Sequence, residues 1–348
     1  MTHRGGYAVA VDPAVRRLRH RGAGLLSGGA LLLALAVLGS CVGTRDIALA
    51  DTWAALHAFD PGNNDHLLVR LLRVPRSLLA IVVGCALGAA GAVMQALTRN
   101  PLADPGLLGV TGGAAAAIVA AVAFFGIVDI TGYLWFALAG AALAAVAVYL
   151  LGGARRGIDP VRLVLAGVAL TVVLQALTQV VLLNSEDVVF DQFRHWAVGS
   201  LQGRGWGVLW PAALATLAGA GLAWALARPL DAVMLGDELG QALGANPGRT
   251  WALAMLSVVV LAGAATAAAG PLSFVGLTAP HLARALAGPG HRWLLPYSML
   301  LAALMVLVAD ILGRWVARPG EIGVGVMVAL LCGPFFVALV RRRRIGRL

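Results

Sequence analysis

Long runs without a single Asp, Glu, Lys or Arg dominate this sequence, and they restrict its fold more than any other feature. Nine such windows occur, at 22–44, 77–98, 105–128, 130–154, 163–185, 205–227, 250–283, 293–309 and 322–340. About 20 apolar residues are what a helix needs to cross the ~30 Å hydrocarbon layer of a bilayer. The composition agrees: 60% of the residues are hydrophobic and 12% charged, where a soluble domain carries about 25% charged residues. A soluble enzyme, a disordered scaffold and a nucleic-acid-binding domain are excluded, despite a net charge of +10. The chain reads as one all-α, polytopic membrane domain over residues 1–348, with a basic tail at 1–21 and a polar loop at 228–249.

The seventh window is too long for one span. Its 34 residues would reach about 51 Å as a single helix, and Gly270-Pro271 divides it into a full span at 250–269 and a shorter segment at about 272–287. Nine or ten spans are therefore possible, and arginine placement separates them. With a cytoplasmic N-terminus, nine spans leave 13 arginines on each side, whereas ten place 18 inside and 8 outside. The positive-inside bias selects ten, with both termini in the cytoplasm. The first span follows Arg16, Arg17, Arg19 and Arg21, and Leu38-Gly39-Ser40-Cys41 looks like a lipoprotein cleavage box. A 23-residue window is too long for a signal-peptide core, so the span is expected to be retained.

All 26 basic residues are arginines. A P-loop needs a lysine on the β/γ-phosphates, so ATP hydrolysis of that type must lie on another chain. Cys41, Cys85 and Cys332 are far apart in apolar segments and read as small buried hydrophobes.

Two segments break the helical pattern in the same way. Pro101-Leu102-x-x-x-Gly106-Leu107 recurs as Pro271-Leu272-x-x-x-Gly276-Leu277, each following a span that starts just past an arginine. The two spans are five apart, so the copies would run in opposite directions, an inverted repeat of the kind transporters use. Gln95, Asn100, Pro101, Asp104, Pro105, Gly106, Gly109 and Gly112 belong to the first segment; Gly276, Pro280, His281 and Arg284 belong to the second. Non-helical backbone at membrane depth must be buried in protein or line a wet cavity. Turn-and-packing and pathway lining both remain open for the first segment. For the second, a conformational element of a path stands beside a plain helix-breaking turn.

In the loop at 228–249, Asp237 and Glu238 suit a helix first turn and Gly244 its stop. Leu235, Leu239 and Leu243 recur every four residues and would form an apolar ridge, with Gly236 just before the helix. Such a ridge outside the bilayer needs a partner surface or a headgroup bed, and a partner is the preferred reading.

Arg73-Val74-Pro75-Arg76, the run Met94-Gln95-Ala96-Leu97-Thr98-Arg99-Asn100-Pro101-Leu102-Ala103-Asp104-Pro105-Gly106, Pro280-His281-x-x-Arg284 and Leu235-Gly236…Leu243-Gly244 resemble the permease subunits of type II ABC importers for iron-siderophores, haem and vitamin B12. The resemblance covers essentially the whole chain, and the stretch from Gln95 to Gly113 is highly specific. It implies a ten-helix permease of the bacterial inner membrane that pairs with a second copy or a sister permease. It also implies two ATPase subunits docked on 235–244, Mg-ATP on those partners, no cofactor or metal on this chain, and a binding protein delivering a metal chelate from outside. Ferric siderophore is the first choice of cargo, with haem and cobalamin as alternatives. Arg73, Arg76 and Arg314 are placed by the resemblance at the outer surface, pairing with acids of the binding protein; snorkelling to headgroups is the competing account of the arginines near 70–76.

Three departures from the family pattern stand out. Glu321-Ile322-Gly323-Val324-Gly325 lacks a proline, Gly240 stands where alanine is usual, and Gly288-Pro289-Gly290-His291-Arg292 lacks the acid that usually precedes His-Arg. An ion-coupled secondary transporter would show ionisable residues at mid-membrane, and an intramembrane enzyme a catalytic set. The charge-free windows offer neither.

Overall fold

A computed structural model describes residues 13–43, 45–152 and 160–342. The first twelve residues, Arg155 and Arg156 and the last arginines, Arg343, Arg344 and Arg347, lie outside it. The described residues form helices and connecting turns: α1 (Pro13–Cys41), α2 (Leu49–His57), α3 (Asn64–Leu68), α4 (Val74–Leu97), α5 (Val110–Phe125), α6 (Ile130–Leu151), α7 (Pro160–Leu183), α8 (Asp187–Ala197), α9 (Trp206–Ala225), α10 (Ala227–Met234), α11 (Asp237–Ala242), α12 (Pro247–Ala269), α13 (Val275–Ala287), α14 (His291–Val316) and α15 (Val324–Arg342). Seven of them are long and apolar enough to cross a membrane, and α5 and α15 contribute shorter apolar stretches.

Helix limits follow local chemistry. The Asn246 side chain accepts from Arg249 N–H at 3.1 Å and Pro247 occupies the first turn, which starts α12. Gly270, at φ +77°, ends it. That stop splits the seventh window as the sequence requires, and α13 restarts at Val275.

Two window limits need correction. The window at 105–128 opens with a separate 3-10 turn, Pro105–Leu108, before α5 begins at Val110. The window at 293–309 stops short of its helix, because α14 runs on through Asp310 and Arg314. These two charges pair with each other at 2.8 Å, so neither ends the helix.

The centre of the bundle is α4, α12 and α14. In the apolar window of α4 78% of the residues are buried, against 11% for α1 and for α7, which form the rim. Small residues bring α4 and α14 together: a Cβ on Gly84 would lie 2.5 Å from Ala303 Cα, and one on Gly88 2.3 Å from Ser298 O. Such close backbone approach is how helices associate where no hydrophobic effect drives them. Of the three cysteines only Cys332 is buried; Cys41 and Cys85 are half-buried, because their helix faces look partly outward.

Candidate functional site

The two proline-broken segments touch. A Cβ on Gly276 would lie 3.1 Å from Pro105 Cδ, and one on Gly91 of α4 would fall 1.9 Å from Gly276 O. Gln95, also on α4 and 1% exposed, donates from Nε2 to Gly276 O and Leu277 O, both at 3.3 Å. Its own Oε1 has no hydrogen-bond partner among the described residues. Within the first segment the side chains hold the loop itself: Asn100 Oδ1 accepts from Leu102 N–H at 2.9 Å, and Asp104 Oδ1 from Gly106 N–H at 2.8 Å. These are Asx turns. Burial pushes the Asp104 carboxyl above its ordinary range, and the Gly106 hydrogen bond acts against that rise. Pro101 is half-buried in the same loop. Pro280 is buried inside α13, while His281 and Arg284 are half-buried on the same helix and do not line the cavity described next.

Beside this junction lies a cavity of about 410 Å³. Thr111 and Gly112 from α5, Thr171, Gln175, Thr178 and Gln179 from α7, Phe193 and Trp196 from α8, and Pro271 line it. Thus Gly112 and the second segment reach one space, and Gly109 packs beside it, where a Cβ would lie 3.7 Å from Thr171 Oγ1. Along α7 the lining runs from Thr171, about 17 Å from the start of the helix, to Gln179, about 28 Å along it, so the cavity reaches from the middle of the helix toward its Leu183 end. Trp196 is fixed by its Nε1–H, which donates to Thr266 O at 3.2 Å. Thr111, Thr171, Gln175, Thr178 and Gln179 give this largely apolar cavity its polar groups. The spacing Thr171, Gln175, Gln179 was the available signal, because it places three polar residues on one helical face inside a charge-free window.

At one end of the bundle the three expected docking arginines turn inward. Arg76 donates through Nε to Asp310 Oδ1 at 2.9 Å and pairs through Nη1 with Glu321 at 2.7 Å. Arg314, 2% exposed, pairs with Asp310 Oδ2 at 2.8 Å and donates to Gly39 O and Val42 O at 2.7 and 2.6 Å. Arg73 donates to Cys41 O at 2.7 Å and to Arg45 O. Within this chain all three guanidiniums already have partners. The carbonyls at the end of α1 have no intrahelical donors, and the guanidiniums of Arg73 and Arg314 supply them. The three arginines and Glu321 still border a cleft of about 180 Å³. Asp310 and Glu321 were missed as partners because they are 234 and 245 positions from Arg76.

At the opposite end, α10 and α11 carry the loop ridge. Leu235, Leu239 and Leu243 are 60%, 59% and 67% exposed. Glu238 is exposed beside them. Gly236 and Gly244, at φ +110° and +83°, flank α11; the Asp237 side chain lies outside the described residues. A Cβ on Gly240 would stand 3.2 Å from Ala232 O, so glycine eases the close fold of α11 against α10. The acid missing before His291 comes from α10: Asp231 Oδ1 accepts from His291 N–H at 3.0 Å and lies 2.5 Å from its Nδ1.

Residues 31–342 match the FecCD transport family. The chain belongs to that family. It is 46% identical to the ferric enterobactin transport system permease protein FepD of Escherichia coli, over 79% of this chain and 82% of that protein. It is 39% identical to the probable siderophore transport system permease protein YfiZ of Bacillus subtilis, over 89% and 93%. With the hemin transport system permease protein HmuU of Yersinia pestis it shares 36% identity, over 91% and 95%. Among solved structures, an inward-facing conformation of a metal-chelate type ABC transporter superposes with a TM-score of 0.80 at 26% identity, covering 93% of this chain and all of the other.

Proposed function

We propose that this chain is the membrane permease of an ATP-driven importer for a ferric siderophore. The observation that supports the reading is the cavity lined by Gly112 and by Pro271, beside the junction where Gln95 holds Gly276, as a gated route needs. Ten spans cross the membrane, α5, α13 and α15 among them despite their length, with both termini in the cytoplasm. Two such permeases, identical or sister chains, enclose the route. The ridge of α11 seats an ATPase subunit that holds Mg-ATP, and this chain supplies no catalytic group of its own. The cleft bordered by Arg73, Arg76 and Arg314 faces outward and receives the binding protein, whose carboxylates compete with Glu321 for the planar guanidinium forks. The relatives' cargoes support iron chelates first and haem second.

The test is uptake by proteoliposomes holding the permease with its ATPase and charged from outside with the cognate binding protein. Labelled ferric trihydroxamate, ferric tricatecholate, haem and cobalamin are compared. ATP-dependent uptake of an iron chelate is expected; ATP-dependent uptake of cobalamin alone would replace the cargo, and uptake without ATP would end the importer reading.

A further inference from the structure

Two glutamines of α7 are left without partners at a depth where that is costly. Gln175 and Gln179 lie about 22 and 28 Å along a helix about 36 Å long, so both stand within the hydrocarbon layer. Both are exposed, and among the described residues neither amide has a hydrogen-bond partner. Their neighbours differ. Thr171 Oγ1 donates to Gly167 O, and Thr178 Oγ1 to Leu174 O, each at 2.7 Å, so both hydroxyl protons are spent within the helix.

Each glutamine keeps two donors and one acceptor free. A polar side chain at this depth faces a cavity or another protein surface rather than lipid, and both amides line the 410 Å³ cavity. No ionisable side chain is among the described residues that line it. Whatever passes is therefore recognised there by hydrogen bonds rather than by charge. A side-chain amide that both donates and accepts matches a surface rich in carbonyl, amide and hydroxyl groups.

We propose that Gln175 and Gln179 form an amide ladder that selects an oxygen-rich ferric chelate over a flat, largely apolar macrocycle such as haem. The inference rests on the importer reading and extends it to the residues that choose the cargo. Stacked one helical turn apart, the two amides hand the chelate along the route, and their contacts are transient, so each contributes about as much as one net hydrogen bond.

The test uses the whole importer, permease with ATPase and binding protein, in proteoliposomes. Labelled ferric trihydroxamate, ferric tricatecholate and haem are supplied in parallel. Gln175→Leu and Gln179→Leu are each expected to slow chelate uptake about fivefold, while Gln175→Asn keeps most of the rate. The melting temperature and the assembled complex should stay unchanged, and the leucine variants should narrow the preference for chelate over haem. Chelate uptake at the wild-type rate in both leucine variants overturns the ladder. So does loss of the assembled complex, which would make the glutamines glue between permeases. Failure of the wild type to move any of the three compounds would instead overturn the iron-chelate cargo on which the ladder rests.

Discussion

Asp310 is the best place to test how the helices are tied at the arginine-rich end. Its side chain is fully buried and takes Arg76 on Oδ1 and Arg314 on Oδ2, both at 2.8 Å. Asp310→Ala leaves the buried Arg314 guanidinium and the largely buried Arg76 guanidinium close together without the anion between them. Removing one partner of a buried ion pair costs about 3–5 kcal/mol. Here some partners remain: Arg76 keeps Glu321 at 2.7 Å, and Arg314 keeps the Gly39 and Val42 carbonyls. The lower end, about 3 kcal/mol, is therefore expected, with Asp310→Asn in between because one acceptor survives. Thermal unfolding of the detergent-solubilised chain should then drop by roughly 6–12 °C on the soluble-domain scale. Removing a cation as well, in Asp310→Ala/Arg314→Met, should recover more than about 0.5 kcal/mol relative to the sum of the single changes. A fall below about 2 °C on that scale, or strict additivity in the double variant, would refute the claim that this carboxylate holds α14 to α4 and, through Arg314, to the end of α1.

Gly91→Val places a side chain where only backbone stands, since a Cβ there falls 1.9 Å from Gly276 O; uptake and melting temperature should both fall, whereas Gly290→Ala, with nothing within 4 Å, should change neither, and a silent Gly91→Val would show that the two broken segments need not touch. Leu239→Asp, on a residue 59% exposed, should release the ATPase in co-purification without moving the melting temperature; undiminished co-purification would place the contact elsewhere. Arg73 is buried and donates to Cys41 O and Arg45 O, so the milder Arg73→Gln is the probe: association with the binding protein should slow and lose salt dependence with the melting temperature held, and an unchanged rate and salt slope would end the docking role. Arg76→Glu is the poorer test, because it would set a third acid beside Asp310 and Glu321.

The long apolar helices were legible because charge-free windows are a property of composition along the chain. The break at Gly270-Pro271 was legible because glycine and proline act locally. The leucine ridge of α11 was legible because a short exposed helix keeps its spacing. Asp310 was not, since a charge closing a window looks like a helix end until its partner is known. The inward turn of Arg73 and Arg314 depends on α1 ending next to them in space, which spacing along the chain does not encode. Asp231 illustrates the same limit from the other side: the acid missing from 288–290 is supplied by a helix about 60 positions earlier, at 3.0 Å from His291 N. Gln175 and Gln179 were not singled out from the sequence, because whether that face meets lipid, protein or a cavity depends on α5 and α8.

The most direct test of the central claim asks what Gln175 faces. Cys41, Cys85 and Cys332 would be replaced by alanine and Gln175 by cysteine, and the assembled importer treated with a water-soluble thiol reagent. If the cavity is the route, the new thiol reacts, its modification stops ATP-dependent uptake of ferric chelate, and chelate delivered by the binding protein slows the reaction. A thiol that reacts only with a lipid-soluble reagent, or one whose modification leaves uptake intact, would contradict the account.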